Sequence, residues 1–292
     1  MKPFAALTLL VLAAGVAKAQ TPDAAFRLDI RTSYSVSEQN QQRLRWYDRR
    51  GRYSLVEMLL VLETGNFVRV AQRLQTIDGA ADQENLNEYY IEDRGVWRLG
   101  KQYLPFGRRA LVQESALALR YDSELLIFDL PFTVAYADAG AGRQRGVVAR
   151  VGDLLAASVA VGDNFGIGAQ SLTQFRRPEE SPGTGRGYRF VLGADFAYPL
   201  GNAWLQAEAA LFRDGATPLD EDREVTDLTY GFIPKGTNYQ FDVGWSRDWT
   251  NAESYYRIEG VLPYSQDVTI EPFIRFDGTR WADAAITARL RF

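Results

Sequence analysis

Apolar and polar residues alternate with a period of two along most of this chain. Tyr188, Phe190, Leu192, Ala194, Phe196 and Tyr198 share one parity, with Arg189 and Asp195 on the other. Tyr239, Phe241, Val243 and Trp245 oppose Gln240, Asp242 and Ser246, while Val268, Ile270, Ile274 and Phe276 oppose Glu271 and Arg275. The pattern returns in Phe26, Leu28, Ile30 and Tyr34 against Arg27, Asp29 and Arg31, and in Val68, Val70 and Leu74 against Arg69 and Arg73. Tyr256, Ile258 and Leu262 oppose Arg257 and Glu259, and the last segment sets Ala284, Ile286, Ala288, Leu290 and Phe292 against Asp283, Thr287, Arg289 and Arg291. Successive strand side chains point to opposite faces, so each segment reads as a strand with one apolar and one charged face.

Alternation alone does not say which face meets water, because a soluble sandwich shows the same pattern. Segment length helps: runs of about 9 to 12 residues suit a tilted membrane-spanning strand, whereas soluble strands are about half as long. Aromatic residues gather near segment ends, as at Tyr188, Tyr198, Tyr239, Trp245 and Trp249, where interfacial girdles sit. Short breaks at Gly65-Asn66, Pro199 to Asn202, Pro234 to Gly236 and Pro263 to Ser265 alternate with polar stretches at 78–87, 138–145, 164–187 and 214–224. Tight turns at one end and longer loops at the other predict an all-β, antiparallel up-and-down transmembrane barrel. The expected strand number is about 14, within 12 to 16, because residues 108–138, interrupted by Pro131, supply one strand or three.

The start of the chain carries a different signal. Met1-Lys2, an apolar run from Phe4 to Val16 and Ala17-Lys18-Ala19 read as a cleaved export leader over residues 1–19, leaving 20–292 as one barrel domain. The apolar run is too short for a spanning helix, and no Cys stands at the cleavage point for lipid attachment. A terminal Phe292 closing an amphipathic strand resembles the insertion signal of bacterial outer-membrane barrels, which implies recognition by the barrel-assembly machinery. The expected location is therefore the bacterial outer membrane, among its lipids and lipopolysaccharide.

Composition removes whole classes of function. There is no Cys and no His, which excludes disulfides, thiol or imidazole catalysis and imidazole metal sites. The outer-membrane hydrolases that use a catalytic His are excluded with them, so neither a catalytic nor a metal site is expected. With 33 Lys and Arg against 37 Asp and Glu the net charge is −4, and loss of Lys2 and Lys18 with the leader makes it more negative. Nucleic acid is thus not an expected partner. No cofactor is expected, and nothing marks an oligomer interface.

If the apolar parity faces lipid, the charged parity faces a lumen. The expected lining residues on this parity are Arg69, Arg73, Arg98, Arg150, Arg189, Asp195, Glu208, Asp242, Arg257, Glu259, Glu271, Arg275 and Arg289, and the family resemblance described below adds Lys101. Such a wall is either wet or paired across the interior, since unpaired buried charge costs several kcal/mol per group. A wet lumen predicts a passive channel for small polar, anionic solutes, because basic side chains lining a pore attract anions. The alternative is a closed barrel whose charges form a lattice and which acts through its extracellular loops.

The segment Trp97-Arg98-Leu99-Gly100-Lys101-Gln102-Tyr103-Leu104-Pro105-Phe106-Gly107 is a strand broken by Pro-Phe-Gly. It resembles the strand end of the phosphate-selective porin superfamily and of the related siderophore-porin and alginate-export barrels. The resemblance implies a passive outer-membrane channel, with Arg98 and Lys101 as candidates for a basic constriction. Gly95 to Lys101 also imitates a phosphate-binding loop, but Gln102 stands where Ser or Thr is required. The loop 164–187 either folds into the lumen as a gate or remains on the surface, and the acidic run Asp220, Glu221, Asp222 and Glu224 is read as solvated charge.

Overall fold

The computed structural model describes residues 23–45, 52–62, 64–74, 86–125, 129–140, 144–166, 171–175, 187–215 and 221–292. The expected leader, residues 1–19, lies outside them. The strands are β1 (Asp23–Ser37), β2 (Gln42–Arg45), β3 (Leu55–Val61), β4 (Asn66–Arg73), β5 (Leu86–Asp93), β6 (Trp97–Tyr103), β7 (Ser115–Leu125), β8 (Leu130–Asp138) and β9 (Arg145–Gly152). They continue as β10 (Leu155–Phe165), β11 (Tyr188–Leu200), β12 (Ala203–Gly215), β13 (Arg223–Phe232), β14 (Gln240–Asp248), β15 (Glu253–Pro263), β16 (Val268–Asp277) and β17 (Arg280–Arg291).

Sixteen of these close an antiparallel barrel, and β1 pairs with β17 to seal it. The seam is finished by the last residue: the Leu28 amide donates to the Phe292 carbonyl at 3.2 Å, and the Phe292 amide donates back at 3.0 Å. On its other side β1 pairs with β3 along its first half and with the short β2 along its second. Closure removes the open sheet edge, so the strands of the wall pair their amides with one another rather than with water, as a hydrocarbon environment demands.

Sixteen strands is the upper end of the expected range. Residues 108–138 contribute two strands, β7 and β8, rather than one or three. Pro131 does not interrupt β8, because it stands at the second residue, where a missing donor costs least. The other addition is β5, taken from the border of a stretch read as loop. Its charged parity carries Tyr90 beside Glu88 and Glu92, and an aromatic there blurs the alternation.

The outward parity is apolar nearly throughout. Phe26, Leu99, Leu119, Val161, Leu192, Val243, Ile258 and Ile286 are all exposed, a continuous apolar belt far larger than the scattered patches of soluble proteins. Aromatic rings border it. Near the short turns Phe196 stacks on Tyr198 at 6.2 Å and Phe232 on Phe241 at 5.7 Å, and at the other end Trp245 meets Trp249 edge-on at 6.2 Å. Lipid, not water, is the partner this surface fits.

Candidate functional site

The apolar core of this barrel lies inside it. Residues 104–114, which join β6 to β7, fold inward, burying Leu104, Phe106, Leu111 and Val112. The wall that receives them is lined by small side chains, among them Ala116, Ala118, Ala135, Ala137, Val148, Ala160 and Ala210. The described part of the loop between β10 and β11 follows, with Ser171 and Leu172 buried beside the first loop and Phe175 buried edge-on to Tyr255 of the wall at 5.4 Å. The Leu172 amide donates to the Leu111 carbonyl at 2.8 Å, and the Gln113 amide to Ser171 Oγ at 2.9 Å. Of the two placements considered for loop 164–187, the inward one holds for its described residues.

The turn that starts this inward fold is Pro105-Phe106-Gly107, the break visible in the sequence. The Phe106 ring sits over Gly193 of β11, where an added Cβ would fall 2.6 Å from the ring. Gly193→Val is therefore expected to expel the ring and cost about 1–3 kcal/mol by overpacking. A lower urea midpoint with an intact barrel spectrum would show it; an unchanged midpoint would mean the loop is held elsewhere.

Three inward carboxylates stand side by side on adjacent strands, because Asp195 pairs in register with Glu208 and Glu208 with Asp227. All three are buried, and like charges at strand spacing repel unless each is compensated separately. Asp195 takes Arg150 at 2.7 Å and Arg108 at 3.0 Å. Glu208 accepts three backbone amides of the inward loop, from Arg108 at 2.8 Å, Ala110 at 3.0 Å and Leu111 at 3.1 Å. Asp227 holds Arg257 through both terminal nitrogens, at 2.6 and 3.0 Å. The central carboxylate thus moors the loop while its neighbours serve arginines.

The other expected lining residues divide clearly. Arg69 faces inward between Glu57 at 2.9 Å and Glu88 at 3.0 Å. Arg73 is buried over the Tyr53 ring and donates to Asn87, and Arg98 donates to Glu92 at 2.6 Å. Glu271 lies among Arg31, Arg52 and Arg289, each at 3.4 to 3.5 Å. Arg275 is buried between Asp277 and Asp283, and Arg289 donates to Asp29 at 2.9 Å. Glu259 accepts from Arg257, and Asp242 from Gln240.

Two of the fourteen sit elsewhere. Lys101 pairs in register with Tyr89 and Leu117, both exposed, and so lies on the outward face of β6. The period of two is the reason: Arg98 and Gln102 share the inward parity, and an odd position between them cannot. Arg189 has the inward parity but stands at the exposed end of β11, beside Asp163 at 3.7 Å and Asp214 at 3.6 Å. Tyr188, read as lipid-facing, is buried against Phe212 with ring centroids 5.0 Å apart.

With one side of the lumen filled by the loops, the other side keeps a cavity of about 470 Å³. Its charged lining among the described residues is Arg52, Arg108, Arg109 and Arg257 facing Glu208, Asp227, Asp242, Glu259 and Glu271. Trp204, Gln206 and Gln240 belong to its uncharged polar and aromatic surface, with Gln174, Thr229, Phe273 and Thr287. Sequence reasoning passed over Asp227, Trp204 and the loop arginines. Asp227 and Trp204 were findable, since both occupy the parity opposite Leu228 and Leu205 in regular alternations.

No protein-family model matches this chain, and no curated protein matches its sequence. Solved structures do match its fold. OmpT, an outer membrane protein of Vibrio cholerae, superposes with a TM-score of 0.60 at 10% identity, over 94% of this chain and 100% of that one. The outer membrane channel DcaP of Acinetobacter baumannii gives 0.59 at 10% identity, over 94% and 99%. An anion-selective porin from Comamonas acidovorans gives 0.56 at 11% identity, over 93% and 100%. The closed sixteen-stranded barrel is thus the fold of outer-membrane porins.

Proposed function

We propose that this protein is a passive channel of the bacterial outer membrane for small polar solutes. The path runs through the half of the lumen that the inward loops leave open. The cavity of about 470 Å³ supports this reading most directly, because a space lined by guanidinium, carboxylate and amide groups is polar and roomy enough to hold water and small polar solutes. The assignment is transport, without bond-breaking chemistry. On this reading the barrel-assembly machinery recognises the strand that closes on β1 with Phe292, and the exposed apolar belt meets lipid and lipopolysaccharide.

The charge preference follows from counting. Four arginines meet five carboxylates at the cavity, so among the described residues there is no basic excess to draw anions. The arginines that suggested an anion ladder serve mainly to neutralise acids on neighbouring strands. Conductance of the refolded barrel in planar bilayers is expected to show ohmic steps with a reversal potential near zero under a KCl gradient. A strongly anionic reversal potential would restore the ladder. Silence from a verified folded barrel would favour the second reading, a closed barrel acting through its extracellular loops, which the paired wall and the packed inward core support.

A further inference from the structure

One group lining the cavity belongs neither to the ion-pair lattice nor to the packed loops. Trp204 points inward from β12, half-buried, and its indole lies directly over Gly231 of β13. A Cβ on Gly231 would fall 2.0 Å from Cε2 and 2.1 Å from Cζ2, so only glycine lets the ring lie against the wall. Trp204 is among the residues that line the cavity. The same cross-strand row continues from Gly231 to Asp242 and from Asp242 to Glu259, and Gln206 and Gln240 stand two residues along their strands. All of these except Gly231 line the open cavity.

We propose that Trp204, with Gln206, Gln240, Asp242 and Glu259, forms a stacking subsite for neutral pyranose sugars, which gives the channel proposed above a substrate class. A pyranose has an apolar face of C–H groups and a rim of hydroxyls. A flat aromatic surface matches the first, and carboxylate acceptors with amides that both donate and accept match the second. An apolar solute would make no hydrogen bond to this polar rim, and a small ion has no use for the ring. The volume lies within the range of about 300–1,000 Å³ typical of small-molecule sites, with room for a disaccharide.

The test is titration calorimetry of the detergent-folded barrel with maltose and sucrose, using glycine betaine and inorganic phosphate as charged comparisons. Binding in detergent does not require an open path, so it separates this proposal from the channel itself. The expected result is millimolar disaccharide binding that weakens about tenfold or more in Trp204→Ala, a factor well resolved by calorimetry. Trp204→Phe should keep part of it, and Gly231→Ala, which displaces the indole without removing it, should lose it. If Trp204→Ala does not fold, Gln206→Ala at an exposed side chain carries the same test with a smaller loss. Equal sugar affinity in folded Trp204→Ala, or no sugar binding by a barrel that conducts, overturns the subsite and leaves the channel. Sugar binding by a barrel that is silent in bilayers upholds the subsite and overturns the channel.

Discussion

Glu208→Ala is expected to free the inward loop, raising single-channel conductance and exposing the chain after Arg108 and Arg109 to trypsin while the barrel stays closed. Glu208 is buried, and its carboxylate is the acceptor for three amides of one short segment. Each buried amide left without an acceptor costs about 1–3 kcal/mol, so losing all three would cost several kcal/mol. The strand ladders around Glu208 are unaffected, which is why the loop and not the barrel should yield. Glu208→Gln keeps one acceptor oxygen and should fall between wild type and alanine. Unchanged conductance with a trypsin-resistant loop would show that Phe106, Leu111 and Val112 hold it by packing alone.

The wall was legible in the sequence because a barrel in lipid makes the period-two pattern carry two kinds of information at once. Leu192, Val243 and Ile258 had to face hydrocarbon, and Asp195, Asp242 and Arg257, on the opposite parity, had to face the interior. The same rule corrects the assignment of Lys101, which was carried to the lumen by a motif and not by its parity. The filling of the lumen was far less legible. Ala116, Ala118, Ala135 and Ala137 on the inward parity neither add to the charge pattern nor break it, yet they are what makes room for Phe106 and Leu111. Loop composition misled for a related reason. Residues 164–187 are polar on average, and the few that decide the placement, Leu172 and Phe175, are diluted among them. The pairing of arginines with carboxylates depends on register between strands distant in sequence, as between Arg31 and Glu271, and no local pattern encodes it.

Arg257→Ala is expected to lower barrel stability by about 3–5 kcal/mol and to turn the channel toward cations, because it leaves a buried carboxylate without its partner. Arg257 is fully engaged in the wall. Its Nε donates to Glu259 at 2.9 Å, one terminal nitrogen donates to Asp227 at 2.6 Å and Ser246 at 2.9 Å, and the other to Asp227 at 3.0 Å and Thr229 at 2.5 Å. All five N–H groups of the guanidinium are therefore used, which lysine, with three donors on one nitrogen, does not reproduce. The seat is shaped for it as well: a Cβ on Gly244 would fall 2.3 Å from Cζ, so Gly244→Ala should weaken the same network from the other side. Removing charge from both ends discriminates pairing from packing. In Arg257→Met with Asp227→Asn the buried carboxylate that Arg257 chelates is neutralised with it, only the less buried Glu259 loses its arginine, and most of the lost stability should return in urea unfolding from lipid vesicles. The reversal potential should return toward zero with it, since the double variant restores the cavity's balance of charge. If the double variant is as unstable as the single one, Arg257 acts through its hydrogen bonds to Ser246 and Thr229, and the ion pair is incidental to the fold. If the reversal potential of Arg257→Ala does not move, the conducting path does not pass the cavity that Arg257 lines.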